Sequence, residues 1–171
     1  MEKEFTTGYA IITLSIRHRP GDDPCDNYVD MKIKDINSPL YTRLCLDIVH
    51  AHTIAEDIKF IRTLDYASIV SYTIHDSDVM NLYDDKSSIK PYELFYQHQV
   101  VEEAGEEIPY VNIKITDKES KVIIFEFGIE DEYVDAICDT IIEMEGKIYE
   151  FDEWPDSVRE ADCNLLNRIL L

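Results

Sequence analysis

Two alternating apolar segments, YVNIKIT (Tyr110–Thr116) and KVIIFEFGI (Lys121–Ile129), stand on either side of the polar link DKES. They constrain the fold more than any other feature. Strand side chains alternate between faces, so each segment presents an apolar face, and so short a link makes the two an antiparallel hairpin. The chain runs on directly into IEDEYVDAICDTIIEMEG (Ile129–Gly146). There Tyr133, Ile137, Thr140, Ile141 and Met144 recur at helical spacing and predict one apolar face. A hairpin followed at once by an amphipathic helix buries its apolar surfaces by folding the helix onto the sheet, which predicts the α+β class.

The rest of the chain extends this pattern. Tyr9–His18 and Tyr28–Lys34 read as strands around the turn-forming RPGDDPCDN. Ser38 and Pro39 then suggest an N-cap and first helical residue, and Leu40, Leu44, Ile48, Ala51, Ala55, Ile58 and Ile61 predict a helix to about Leu64, with a bend near Thr53. Tyr66–His75 and Tyr92–Val101 read as strands, the second ended by EEAGEE, and 76–91 as a long loop with one helical turn. KIYEF suggests an edge strand; PDSVREADCNLLNRILL suggests a final helix capped by Asp156, with Val158, Ala161, Leu165 and Ile169 inward.

The sum is a mostly antiparallel sheet of about five to six strands with two or three packed helices. Residues 1–171 are expected to form one domain. Its two-lobed version has a near-neutral ββαβ lobe at 1–75 and an acidic ββα lobe plus C-terminal helix at 108–171, joined by 76–107. An offset of 93 superposes Val29 on Val122, Cys45 on Cys138 and Ile48 on Ile141, which suggests two ββα units. A content of 45% hydrophobic residues is enough to bury a core despite the charge.

That charge limits function. The net value of −20 opposes binding to nucleic acid or anionic lipid, which bind Lys and Arg surfaces, and favours a basic partner. It is lopsided: residues 1–64 hold 10 acids against 8 bases, 65–107 hold 10 against 2, and 108–171 hold 16 against 6. The opening MEKEFTTGYA lacks the apolar run of a signal peptide, and Val122–Phe125 is far short of the ~20 apolar residues of a membrane span. The four cysteines form no CxxC pair, so reduced thiols and a cytoplasmic location are expected.

No motif in the chain names a reaction. Asp135 and Asp139 stand at i,i+4, but two carboxylates on one helix need further ligands to hold a cation. DSDVMN (Asp76–Asn81) begins like a calcium loop but lacks glycine at its sixth position. His50 and His52, at i,i+2, face different sides of a helix and share no metal; His52 and Glu56 suggest a surface contact. No metal and no cofactor are therefore expected. The enzyme reading is confined to a dispersed site around His50, His52 and the loop Asp76–Asp85.

The acidic helix remains. Glu130, Asp131, Glu132, Asp135, Asp139, Glu143 and Glu145 include no intervening Lys or Arg, and Glu132, Asp135, Asp139 and Glu143 form a stripe. Like charges at i,i+4 each cost a helix a few tenths of a kcal/mol. These seven residues are the expected partner-binding set, and eleven tyrosines suit an interface. The leading expectation is an acidic protein-binding module. It inhibits or modulates a nucleic-acid-processing enzyme by occupying its basic surface, as the DNA mimics of viral counter-defence do. The alternatives are an inhibitor or adaptor of another enzyme, such as an ATP-dependent protease, the dispersed enzyme site above, and a structural subunit assembled through the apolar C-terminal helix, where Leu166 and Leu170 offer a surface for a homodimer.

Overall fold

The computed structural model describes residues 1–18, 27–74, 78–81 and 91–149. Among these residues, nine strands and two helices follow in the order β1 (Glu2–Thr6), β2 (Ala10–His18), β3 (Asn27–Asp35), β4 (Tyr41–Leu46), α1 (Ile48–Ile61), β5 (Ile69–Ile74), β6 (Asp78–Asn81), β7 (Tyr92–Glu103), β8 (Glu106–Asp117), β9 (Ile123–Glu130) and α2 (Asp131–Tyr149). The fold is α+β and every strand pairing is antiparallel. The strands make two sheets, ordered β1-β2-β3-β4-β6 and β5-β7-β8-β9.

The alternation seen in the sequence sets the inner faces. Ile12 and Leu14 of β2, Met31 and Ile33 of β3, and Leu44 and Leu46 of β4 are buried, as are Leu94, Tyr96, Ile113 and Ile115 of the second sheet. They join one continuous apolar cluster with residues of both helices. The helices lie side by side and each touches both sheets: α1 meets β3, β4, β5 and β7, and α2 meets β2, β3, β8 and β9. Val49, Ala51, Ile54, Ala55, Ile58 and Ile61 of α1 are all buried. At 100° per residue these positions, with His50 and Thr53, sweep roughly two-thirds of the helix circumference. Along one margin the sheets meet directly, with β2 beside β9.

Several sequence expectations are corrected. The helix expected from Ser38 is a strand followed by a helix: Tyr41–Leu46 pairs with β3, and Asp47 caps α1 by accepting a hydrogen bond from the His50 N–H. Leu40 and Leu44 fall at helical spacing from Ile48 by coincidence across that junction. Residues 78–81, expected in a loop, pair with β4, and Glu2–Thr6, read only for its charges, pairs with β2. Among the described residues both stand at the ends of the first sheet, where they pair with backbone groups that the neighbouring strand leaves open. Lys147–Tyr149 continue α2 instead of starting an edge strand.

The sheet count also changes, from one sheet to two. Strands β2, β3 and β4 leading into α1 correspond in order to β7, β8 and β9 leading into α2, so the 93-residue offset fails: Cys45 lies on a strand and Cys138 on a helix. The turn at 19–26 and the helix expected at 155–171, with Leu166 and Leu170, lie outside the described residues.

Candidate functional site

Helix α2 turns its charged stripe outward, but its carboxylates have different surroundings. Glu132, Asp135, Asp139 and Glu143 are exposed. Asp135 accepts from Arg62 Nη2 at 2.6 Å and Asp139 from Lys59 Nζ at 2.5 Å. Both carboxylates remain 66% exposed, so each still presents an oxygen to solvent. Glu143 pairs with Lys147 at 3.4 Å, one turn along the helix.

The other three point inward. Asp131 is half-buried against His98, whose Nε2 lies 2.9 Å from Oδ2. Glu145 is buried and receives His52 Nδ1 at 2.7 Å. Burial pushes the Glu145 carboxyl above its ordinary pKa, and the hydrogen bond from His52 opposes that shift. Glu130 is buried and its Oε1 accepts the Gly8 N–H at 2.6 Å, joining the two sheets at their shared margin. The pairs His52–Glu145, Lys59–Asp139 and Arg62–Asp135 advance along α1 as they retreat along α2, so the helices are antiparallel. The bases of α1 and its C-cap Arg62 thus serve the acids of α2, and His52 bonds to the other helix rather than to Glu56.

A second concentration of acid lies on the β7–β8 hairpin. EEAGEE, expected to end a strand, instead turns β7 into β8. The symmetry of two glutamates on each side of Ala-Gly is a hairpin signal. Ala104 and Gly105 take positive φ (52° and 80°), as a tight two-residue turn requires. Glu103 stands opposite Glu106 and Glu102 opposite Glu107, and all four are exposed. Strand β5 pairs with β7 only as far as Gln97 and β9 with β8 only from Tyr110, so residues 99–109 project as a two-stranded arm. Like charges placed directly opposite destabilise a strand pair.

His50 and His52 are not brought together. His50 Nδ1 contacts the Tyr72 hydroxyl of β5 at 2.5 Å, while His52 faces α2. The described residues include no group of three or more His, Cys, Asp or Glu placed to hold a metal ion. Residues 76, 77 and 82–85 of the loop in the enzyme reading lie outside the described residues. No described helix is long and apolar enough to cross a membrane.

Asp57 of α1 is half-buried and, among the described residues, no ion pair serves it. Burial, with a smaller push from Glu56, raises the pKa of Asp57 from 3.8 to about 6. The native state therefore binds a proton more readily than the unfolded chain between pH 3.8 and about 6, and unfolding free energy gains from Asp57 as pH falls through that window. The shift would correspond to about 3 kcal/mol unscreened. Solvent reaches part of the side chain, which reduces the expectation to about 1 kcal/mol. Asp57→Asn should thus be more stable than wild type by about that amount near pH 8, with the difference vanishing towards pH 4. Urea titrations of both proteins across that range check it, and an equal difference at all pH values contradicts it.

Compared with protein-family models, curated proteins and solved structures, the chain matches none.

Proposed function

We propose that this protein is an acidic binding module that docks onto a basic surface of another protein and modulates it by occupying the place of a polyanion. The observation that carries the reading is the arm. Glu102, Glu103, Glu106 and Glu107 face one another in register on a projecting hairpin with no base among them. Cross-strand pairs of opposite charge would stabilise that hairpin, so the four glutamates oppose its own stability. A basic partner relieves the repulsion. The exposed stripe Glu132, Asp135, Asp139 and Glu143 adds a second row of carboxylate oxygens. Glu130, Asp131 and Glu145, engaged inside the protein, act by holding the sheets and helices in place.

The expected target is a nucleic-acid-processing enzyme, whose basic surface is complementary in charge. An ATP-dependent protease or another enzyme class is the second reading. The two separate by competition: oligonucleotide should displace the module from the first kind of target and leave it on the second.

The test begins with cross-linking and mass spectrometry in the native host to identify the partner, followed by stopped-flow association of the purified pair. Between about 0.05 and 0.5 M salt the on-rate should fall at least roughly tenfold. A variant with all four arm glutamates changed to Gln should lose most of that dependence, because attraction between opposite charges speeds encounter more than it tightens the final complex. An on-rate indifferent to salt refutes the proposal.

A further inference from the structure

Beside the base of the arm, where the sheets meet, lies an open cleft of about 360 Å³. This is near the lower end of the range of small-ligand sites, roughly 300–1,000 Å³. Its lining combines the rings of Tyr9 and Tyr110 with two carboxylates, Asp35 and Glu126, beside Phe125 and Phe127 of β9, and among the described residues it contains no Lys, Arg or His. The comparably sized depression on the outer face of the second sheet differs: Lys114 and Lys121 line it.

The cleft is built rather than left over. The rings of Tyr9 and Tyr110 stand 5.6 Å apart, tilted by 49°. Each is anchored by its hydroxyl, Tyr110 donating to Gln99 Oε1 at 2.6 Å and Tyr9 to Glu103 Oε1 at 3.3 Å. Both rings lie close over the backbone of Gly128, where a Cβ would come within 2.9 Å of Tyr110 Cδ2 and 3.3 Å of Tyr9 Cδ2. Glu126 keeps one oxygen on the Asn112 amide at 2.9 Å, and Asp35 accepts the Asn37 N–H at 2.7 Å. Each carboxylate therefore retains a second oxygen. Lys114 faces Glu126 in the strand register, yet among the described residues the two form no ion pair.

We infer that this cleft takes an arginine side chain presented by the basic partner, its guanidinium stacked on the aromatic rings and bonded to Glu126 and Asp35. A guanidinium is planar and weakly hydrated, so it stacks on aromatic faces, and its fork of N–H donors matches carboxylates; an ammonium does neither as well. The inference rests on the docking reading above and specifies it. The arm attracts a basic surface by long-range charge, and the cleft at its base holds one residue of that surface by shape.

The test uses the intact protein and three capped tripeptides, acetyl-Gly-X-Gly-amide with X as arginine, lysine or citrulline, titrated while backbone amide shifts are followed by NMR. The arginine peptide should produce saturable shifts at Tyr9, Asn112 and Gly128 with a millimolar dissociation constant. The lysine peptide should bind at least threefold more weakly, and citrulline, which keeps the shape and loses the charge, at least tenfold more weakly. Glu126→Gln combined with Asp35→Asn should weaken the arginine peptide at least tenfold. Gln and Asn keep the oxygens that accept from Asn112 and Asn37, and an unchanged amide spectrum elsewhere verifies the fold. Equal binding of citrulline, a preference for lysine, or the absence of saturable shifts at the cleft overturns the inference. Each of these results leaves the docking reading standing if the arm glutamates still govern salt-dependent association with the partner; loss of that dependence refutes the docking reading by itself.

Discussion

Ile58→Ala should lower the unfolding free energy by about 3–5 kcal/mol, the upper part of the range for removing a buried aliphatic side chain. Ile58 is completely buried. It lies inside the arc that α1 buries, and a helix held by sheets on two sides has little freedom to collapse into the vacated space. The cost of such a change rises with the volume of the cavity that remains. Phe60, two residues along the same helix, is the control. It is the larger hydrophobe, but 53% of it is exposed, so Phe60→Ala should change stability by no more than about 0.5 kcal/mol. Urea unfolding of both variants checks the pair. Similar losses at the two positions would mean that α1 does not sit between the sheets as described.

Gly8→Ala should cost about 2–3 kcal/mol, although the residue lies in an exposed turn. A Cβ at this position would fall 2.3 Å from Glu130 Oε1, the atom that accepts the Gly8 N–H at 2.6 Å. Alanine therefore drives the carboxylate out of the hydrogen bond that ties the turn before β2 to the end of β9. Hydrogen bonds to charged groups are worth about 1.5–3 kcal/mol, and a buried acceptor stripped of its donor loses the full desolvation cost. The second oxygen of Glu130 already has no hydrogen-bond partner among the described residues, so there is no spare contact to compensate. Glu130→Gln keeps an oxygen for Gly8 and should be tolerated within about 1 kcal/mol. Thermal or urea unfolding of the two variants checks this contrast, and a neutral Gly8→Ala refutes it. Because Glu130 joins the sheets beside the arm and the cleft, Gly8→Ala should also weaken partner docking.

The charge pattern was legible in the sequence, but its division of labour was not. The seven acids of residues 130–145 are alike when read as letters. Helical periodicity places Glu132, Asp135, Asp139 and Glu143 on one stripe, and all four are indeed exposed. Nothing local shows that Glu145 meets His52 or that Glu130 meets Gly8, 93 and 122 positions away. Those contacts exist because the helices pack antiparallel and the sheets touch along β2 and β9. The arm's glutamates did carry a local signal in EEAGEE, and the cleft carried none, since Tyr9, Asp35, Tyr110 and Glu126 come from four separate strands or turns.

By itself, the sequence determined the α+β class, strands β2, β3, β5, β7, β8 and β9, the β8–β9 hairpin and helix α2. In these segments the alternation or helical spacing of apolar residues lies within a single element, so the period identifies it. Only the tertiary structure decided β1, β4 and β6, the split into two sheets and the partners of each carboxylate. Edge strands form on unpaired backbone groups supplied by distant residues. A six-residue strand set against a helix contains too little of either period to separate the two. Whether a carboxylate is neutralised or left facing solvent depends on the cation that packing places beside it, and packing joins residues the chain keeps far apart.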